Sequence, residues 1–274
     1  MPRYKPSGVS QLKMDIFVVD AFTSQQFKGN SAAVVPVKDW PADLLMQSIA
    51  AENNLSETAF IKEVDANKYQ IRWFSPLTEI DFCGHATLAS AFVLFNEFGV
   101  EAQIEFITKA VGSLTVMLNA DNEIEMTFPN QNPQSVSSIP TQLLAGLSKT
   151  PVDVLKNRQA YFAIFDNEQD ILDLTYSSEQ LKQLAPLDVV VTARANDYDF
   201  ISRYFWPANG GDEDPVTGSI HSGLAPYWAE KLNKSDLIAY QASKRGGVLK
   251  CSVSDESIVV SGKGVLYLKG KINV

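Results

Sequence analysis

From Met14 to Phe22 the chain reads MDIFVVDAF, apolar at almost every position, the pattern of a strand buried on both faces. A second apolar run, Ser31–Val35, follows the turn residues Lys28-Gly29-Asn30. Pro41 then opens a helical pattern with Leu44, Leu45, Ile49 and Ala50 predicted on one face and Asn53-Asn54 as its stop. Thr58–Val64 and Tyr69–Phe74 predict two strands joined by the turn Asp65-Ala66-Asn67. At Gly84 the pattern changes. The run GHATLASAFVLFNEFG carries Ala, Leu, Phe and Val on every side, which predicts a helix enclosed by the rest of its domain. Strands follow at Gln103–Thr108, Ser113–Leu118 and Glu123–Phe128.

Pro129 to Pro140, rich in Asn, Gln, Pro and Ser, reads as a linker between halves. Beyond it the pattern predicts a short helix near Thr141–Leu147, strands near Val152–Leu155 and Ala160–Phe165, and a polar helix near Ser177–Ala185. Strands at Leu187–Ala193 and Tyr198–Trp206 lead to a second glycine-led helix, GSIHSGLAPYWAEKL, from Gly218. Ile220, Leu224, Ala225, Trp228 and Leu232 keep helical spacing, and Pro226, lacking an N–H, is expected to bend or restart the helix. Strands near Leu237–Gln241, Val248–Val253, Ser257–Ser261 and Val265–Lys269 complete the chain. Both halves therefore run from strands to a small-residue helix opening on glycine, and back to strands. The expected class is α+β, in two similar domains (14–130 and 131–274), each a strand-wrapped central helix. Residues 1–13 read as a flexible extension, and the last strand is free to pair back with the N-terminal domain.

The 274 residues, 45% hydrophobic and 20% charged, can form a core without metals or disulfides. A net charge of −9 with no basic stripe, only Lys244-Arg245, argues against nucleic acid or an acidic membrane as partner. No apolar window approaches the ~20 residues of a membrane span, and Met1–Lys13 lacks the apolar core of a signal peptide. A cytoplasmic location is expected. Two cysteines and two histidines are too few for a four-thiolate or a histidine-rich metal centre. Phosphate-loop, dinucleotide and G-x-S-x-G patterns are missing.

Three clusters could carry chemistry: Asn54-Leu55-Ser56-Glu57-Thr58, Asp81-Phe82-Cys83-Gly84-His85, and Asp212-Glu213-Asp214-Pro215-Val216-Thr217-Gly218-Ser219. The second and third each bring glycine to a helix start, where N–H groups are unpaired and the dipole is positive. Facing one another across a cleft, two such starts would receive a carboxylate. Ordinary helix capping by Asp81 and Thr217 reads the same way. The acidic string at 212–214 continues into Pro-Val-Thr-Gly-Ser rather than further ligands, so no metal is expected there.

The motifs NLSET, DFCGHAT and EDPVTGS, with the opening MDIFVVDAFT and the run GNSAAVV, resemble the PhzF family of phenazine-biosynthesis-like isomerases over nearly the whole chain from Met14. The resemblance implies the diaminopimelate epimerase-like fold, with an active site in the cleft between the domains, no cofactor, and a homodimer. It matches Glu57 to the family's general acid/base and His85 and Asp214 to two further catalytic positions. Gly84, Gly218 and Ser219 match the substrate-binding backbone donors. The implied activity moves a carbon-bound proton on a small carboxylated metabolite, with a dihydro-hydroxyanthranilate as the family's best-known substrate. Two other readings stand beside it. An amino-acid racemase of the same fold would use two thiols, but where Cys83 supplies one, Thr217 occupies the other place. A binding protein without activity would need neither Glu57 nor His85. His221 and Cys251 match no motif and are expected to be structural.

Overall fold

The computed structural model describes residues 12–101 and 103–274. The predicted extension falls mostly outside them; its last two residues do not hang loose. Leu12 exchanges backbone hydrogen bonds with Val274, and Lys13 opens the first strand.

The first half runs β1 (Lys13–Ala21), β2 (Asn30–Pro36), α1 (Asp43–Asn53), β3 (Glu57–Asp65), β4 (Lys68–Phe74), β5 (Glu79–Ile80), α2 (Gly84–Glu97), β6 (Gln103–Ile107), β7 (Ser113–Leu118) and β8 (Ile124–Pro129). The second runs β9 (Gln134–Ser135), α3 (Thr141–Gly146), β10 (Asp153–Lys156), β11 (Ala160–Ile164), α4 (Glu168–Asp173), α5 (Ser178–Leu181), β12 (Asp188–Arg194), β13 (Phe200–Phe205), β14 (Glu213–Asp214), α6 (His221–Leu232), β15 (Asp236–Gln241), β16 (Gly247–Val253), β17 (Ser257–Gly262) and β18 (Gly264–Asn273).

The halves repeat one connection scheme. β2 passes through α1 to the parallel strand β3, and β4 passes through α2 to the parallel strand β6. Likewise β11 passes through α4 and α5 to β12, and β13 through α6 to β15. Antiparallel ladders β6-β7-β8 and β15-β16-β17 close each half. The two halves are stitched by exchange. β18, from the end of the chain, pairs antiparallel with β1, and β8 pairs with β17.

The sheets wrap α2 and α6 because neither helix has a face to give to water. Eleven of the fourteen residues of α2 are buried, from Gly84 to Phe95. Their partners are apolar strand residues such as Val19, Val34, Ile71 and Phe106 in the main core. Smaller cores lie outside the sheets, under α1 and under α3 to α5.

Several expectations need correction. The buried face of α1 carries Met46, Ile49 and Ala50, whereas Leu44 is 84% exposed. Positions 46, 49 and 50 follow the i, i+3, i+4 rule, and Leu44 lies on the far side. The expected linker contains β9, which pairs with β10. The polar helix near 177–185 is α5 followed by a 3-10 turn, Lys182–Leu184. Pro226 does not restart α6, which is continuous from His221 to Leu232. The carbonyl of Ser222, which Pro226 cannot serve, accepts the backbone N–H of Gln131 instead (3.0 Å). No described helix is long and apolar enough to cross a membrane.

Candidate active site

Glu57 is the first residue of β3, placed there by a sharp exit from α1. Asn54 takes the left-handed conformation (φ 49°), which closes the helix and turns the chain. Asn53 donates to the Thr58 hydroxyl across the junction (3.0 Å). Glu57 is buried, only 5% exposed, rather than a solvated strand start.

His85, the second residue of α2, is equally buried. Its Nε2 lies 2.8 Å from Glu57 Oε2, an ion-pair distance, yet Oε2 has no aligned hydrogen-bond donor. The carboxylate oxygen is close to the ring nitrogen without being spent on it. Cys83 completes this corner, its Sγ 3.4 Å from Nδ1 and 3.8 Å from Nε2 of His85. Glu57, Cys83 and His85 are a donor set a metal could use. However, the 2.8 Å between Nε2 and Oε2 is shorter than the ~3.3 Å that two ligands of a tetrahedral zinc would span. The two atoms are too close to be neighbouring ligands of one such ion.

Asp214 reaches the same place from the other half. Its short strand β14 pairs with β13, and its carboxylate accepts from Asn30 Nδ2 (2.7 Å) and from the Thr217 hydroxyl. Gln241, fully buried, ties the loop down by accepting from Thr217 N (2.8 Å) and donating to the Asp214 carbonyl (2.9 Å). Thr217 thus serves Asp214 and caps no helix, and the N-cap of α2 is Cys83, not Asp81.

The two glycine-led helix starts do converge. A Cβ built on Gly84 would lie 3.6 Å from both Gly218 Cα and Ser219 N. The second start differs from expectation in detail: residues 218–220 form tight i→i+3 turns, and the α-helix begins at His221. Ser219 Oγ accepts from Gln159 Nε2 (3.0 Å), which also reaches the Tyr204 hydroxyl, itself bonded to Asp188. An open cavity of about 480 Å³ reaches Ser219 between Phe82, Phe128, Gln159 and Ser222.

Electrostatics follow from this burial. Burial pushes the Asp214 carboxyl up to about 6, with the Glu57 charge adding to it and His85 working against it. Burial, then the Glu57 charge, pushes the Cys83 thiol up to about 11. For His85, burial opposes the cation, while Cys83 and then Glu57 act to raise its pKa, Cys83 only to the extent that it is a thiolate. His221 lies behind the site with Nδ1 on the Thr217 carbonyl (2.9 Å), and burial pushes it down to about 4. Cys251 is buried in β16.

The structure thus brings Glu57, His85, Asp214, Gly84, Gly218 and Ser219 to one region between the halves. Sequence reading missed Asn30, Gln241 and the chain from Asp188 through Tyr204 and Gln159 to Ser219. Asn30 carried two signals, the turn Lys28-Gly29-Asn30 and the run GNSAAVV, and neither gave it a role at the site.

Comparison with known proteins places the chain in a family. Residues 19–270 match the model of the PhzC-PhzF family, described as phenazine biosynthesis-like protein. A protein of Halalkalibacterium halodurans named an uncharacterized isomerase is 44% identical over 261 residues, covering 94% of this chain and 97% of its own. The crystal structure of a PhzF family protein from Enterococcus faecalis superposes with a TM-score of 0.91 at 39% identity, covering 96% of this chain and 100% of the other. At 11% identity, a hydroxyproline epimerase from Agrobacterium vitis still superposes with a TM-score of 0.62 over 97% of this chain and 93% of its own, a likeness of fold alone. The chain belongs to the phenazine biosynthesis-like PhzC-PhzF family and has the diaminopimelate epimerase-like fold.

Proposed function

We propose that this chain is an isomerase that moves a carbon-bound proton on a small carboxylated metabolite, with Glu57 as general acid/base and without a cofactor. The observation that carries the reading is the state of Glu57: a buried carboxylate with one oxygen free of any aligned donor, where the halves meet. A base in that position is shielded from water, which raises its reach toward a weakly acidic C–H. Relatives named isomerases support the reaction class.

In this reading the substrate enters through the cavity beside Ser219, and its carboxylate meets the backbone N–H groups of Gly84, Gly218 and Ser219. Glu57 takes the proton from carbon and returns it elsewhere on the conjugated system. His85 faces the same oxygen and orients the substrate's heteroatoms. Asp214, pushed up to about 6, can hold or release a proton near neutrality. A dihydro-hydroxyanthranilate is the first substrate to try. A two-thiol racemase is less well supported, since Thr217 stands where the second thiol would be, and its hydroxyl is spent on Asp214. A homodimer belongs to the same proposal. β18 lies at an edge, paired only with β1 among the described strands, with Tyr267 and Leu268 exposed.

Replacing Glu57 by Gln keeps shape and removes the base. Steady-state kinetics of Glu57→Gln should show turnover reduced about 100-fold or more, the usual worth of a general base, with an unchanged melting profile. A variant that keeps full activity would remove Glu57 from the mechanism.

A further inference from the structure

The polar groups of the site share a neighbour that no motif assigns. Asn30 opens β2 and is fully buried. Its Nδ2 lies 2.7 Å from Asp214 Oδ1, 3.0 Å from the Val216 carbonyl and 3.1 Å from His85 Nδ1. One amide therefore joins the start of α2 to the acidic loop of the other half.

The chemistry of these partners fixes which way the amide points. A backbone carbonyl can only accept, and so can an ionised carboxylate. The opposite orientation would set Asn30 Oδ1 against both of them. Oδ1 is itself buried with no donor, so the nitrogen alone decides the orientation. An amide nitrogen has protons to give and no lone pair to offer. His85 Nδ1 faces that nitrogen, and a proton on Nδ1 would be aimed at another donor. Two amide protons therefore serve three acceptors, one of them the bare Nδ1 of His85.

Charge pulls the other way. The groups facing His85 are Glu57 from β3, Cys83 from the segment before α2, Asp214 from β14 and Asn30 from β2. A carboxylate at Glu57 favours a cationic ring. Cys83 would add to that pull only as a thiolate, and its thiol stays protonated at ordinary pH. Burial opposes a charged ring, and the Asn30 amide offers a proton on Nδ1 no acceptor, leaving it only the weakly accepting Cys83 Sγ at 3.4 Å.

We propose that Asn30 is a positioning residue that holds His85 neutral, with its single proton on Nε2, in the resting protein. His85 then presents N–H and Glu57 presents carboxylate on the same side, 2.8 Å apart. Each starts with a fixed role, the ring as donor and the carboxylate as base. That catalytic consequence rests on the function proposed above; the protonation pattern itself does not.

The chain has two histidines, which makes the pattern directly measurable. His221 Nδ1 faces the Thr217 carbonyl, an acceptor, so His221 must carry its proton on Nδ1. The full-length protein, labelled with ¹⁵N-histidine, would be recorded in a long-range ¹H–¹⁵N correlation spectrum at neutral pH, with His221→Gln assigning the signals. The expected result is two neutral rings of opposite tautomer, Nε2–H for His85 and Nδ1–H for His221. A doubly protonated His85, or one protonated on Nδ1, would overturn the proposal, and this reading needs no variant at Asn30. Asn30→Asp adds a causal arm: an acceptor opposite Nδ1 should give His85 its second proton at neutral pH and lower kcat more than it changes KM. A folded Asn30→Asp protein whose His85 remains Nε2–H would also overturn it. If the tautomers match but no acid exchanges its carbon-bound protons, the functional reading fails while the Asn30 assignment stands. If exchange depends on Glu57 yet His85 is doubly protonated, the reverse holds.

Discussion

Two ionisable residues near the site, His221 buried and Asp214 half-buried, respond to acid in opposite senses, and each can be isolated by one substitution. His221 is held down to about 4 by burial, against an ordinary value of 6.5. Between those values the unfolded chain binds a proton that the folded chain refuses, so His221 makes stability fall as pH drops through that window. Asp214 is pushed up from 3.8 to about 6, so the folded chain holds the extra proton there, and stability falls as pH rises through that window. The contributions cancel in part in the native protein. Urea unfolding at about pH 4.5 and about pH 7 separates them. His221→Gln should lose less stability on acidification than the native protein, and Asp214→Asn should lose more. At this scale the three motifs were legible because their residues are neighbours in sequence. Asn30 was not, because its partners Asp214 and Val216 lie 184 and 186 positions away and no spacing rule reaches so far.

Glycine in the two central helices separates propensity from packing. Gly223 sits inside α6, where alanine would ordinarily stabilise by about 1 kcal/mol. An added Cβ there would come within 2.6 Å of the Phe162 ring and 2.8 Å of the Asn157 side chain. Packing decides the sign, and Gly223→Ala should lower the denaturation midpoint. Gly84 differs, because its added Cβ would meet Gly218, Ser219 and Phe128 at 3.6–3.8 Å, ordinary contact distances. Gly84→Ala should fold with native stability and still slow turnover, because the methyl occupies the meeting point of the helix starts. Matched melts and activities of the two variants test both statements. The elements themselves read well from sequence where apolarity was extreme, as in α2. They read poorly where a face was ambiguous: α1 carries Leu44, Leu45 and Met46 in a row, and the long-range packing of Met46 chose the buried side. The continuity of α6 through Pro226 depended on Gln131, 95 residues upstream, to take the orphaned carbonyl.

For the molecule as a whole, the repeated order of strands round a glycine-led helix was visible in the hydrophobic pattern. The stitching was not. Pairing of β1 with β18 and of β8 with β17 joins segments more than 120 residues apart, and each strand alone would fit many neighbours. That stitching sets the two halves so that Glu57 and His85 from one and Asp214 from the other meet at one site, bridged by Asn30. The central claim is that this assembly transfers a proton between carbon and Glu57. The most direct measurement is mass spectrometry of a dihydro-hydroxyanthranilate turned over in heavy water. The account predicts one deuterium on carbon in the product, dependent on Glu57. Equal turnover and equal incorporation by Glu57→Gln would contradict it.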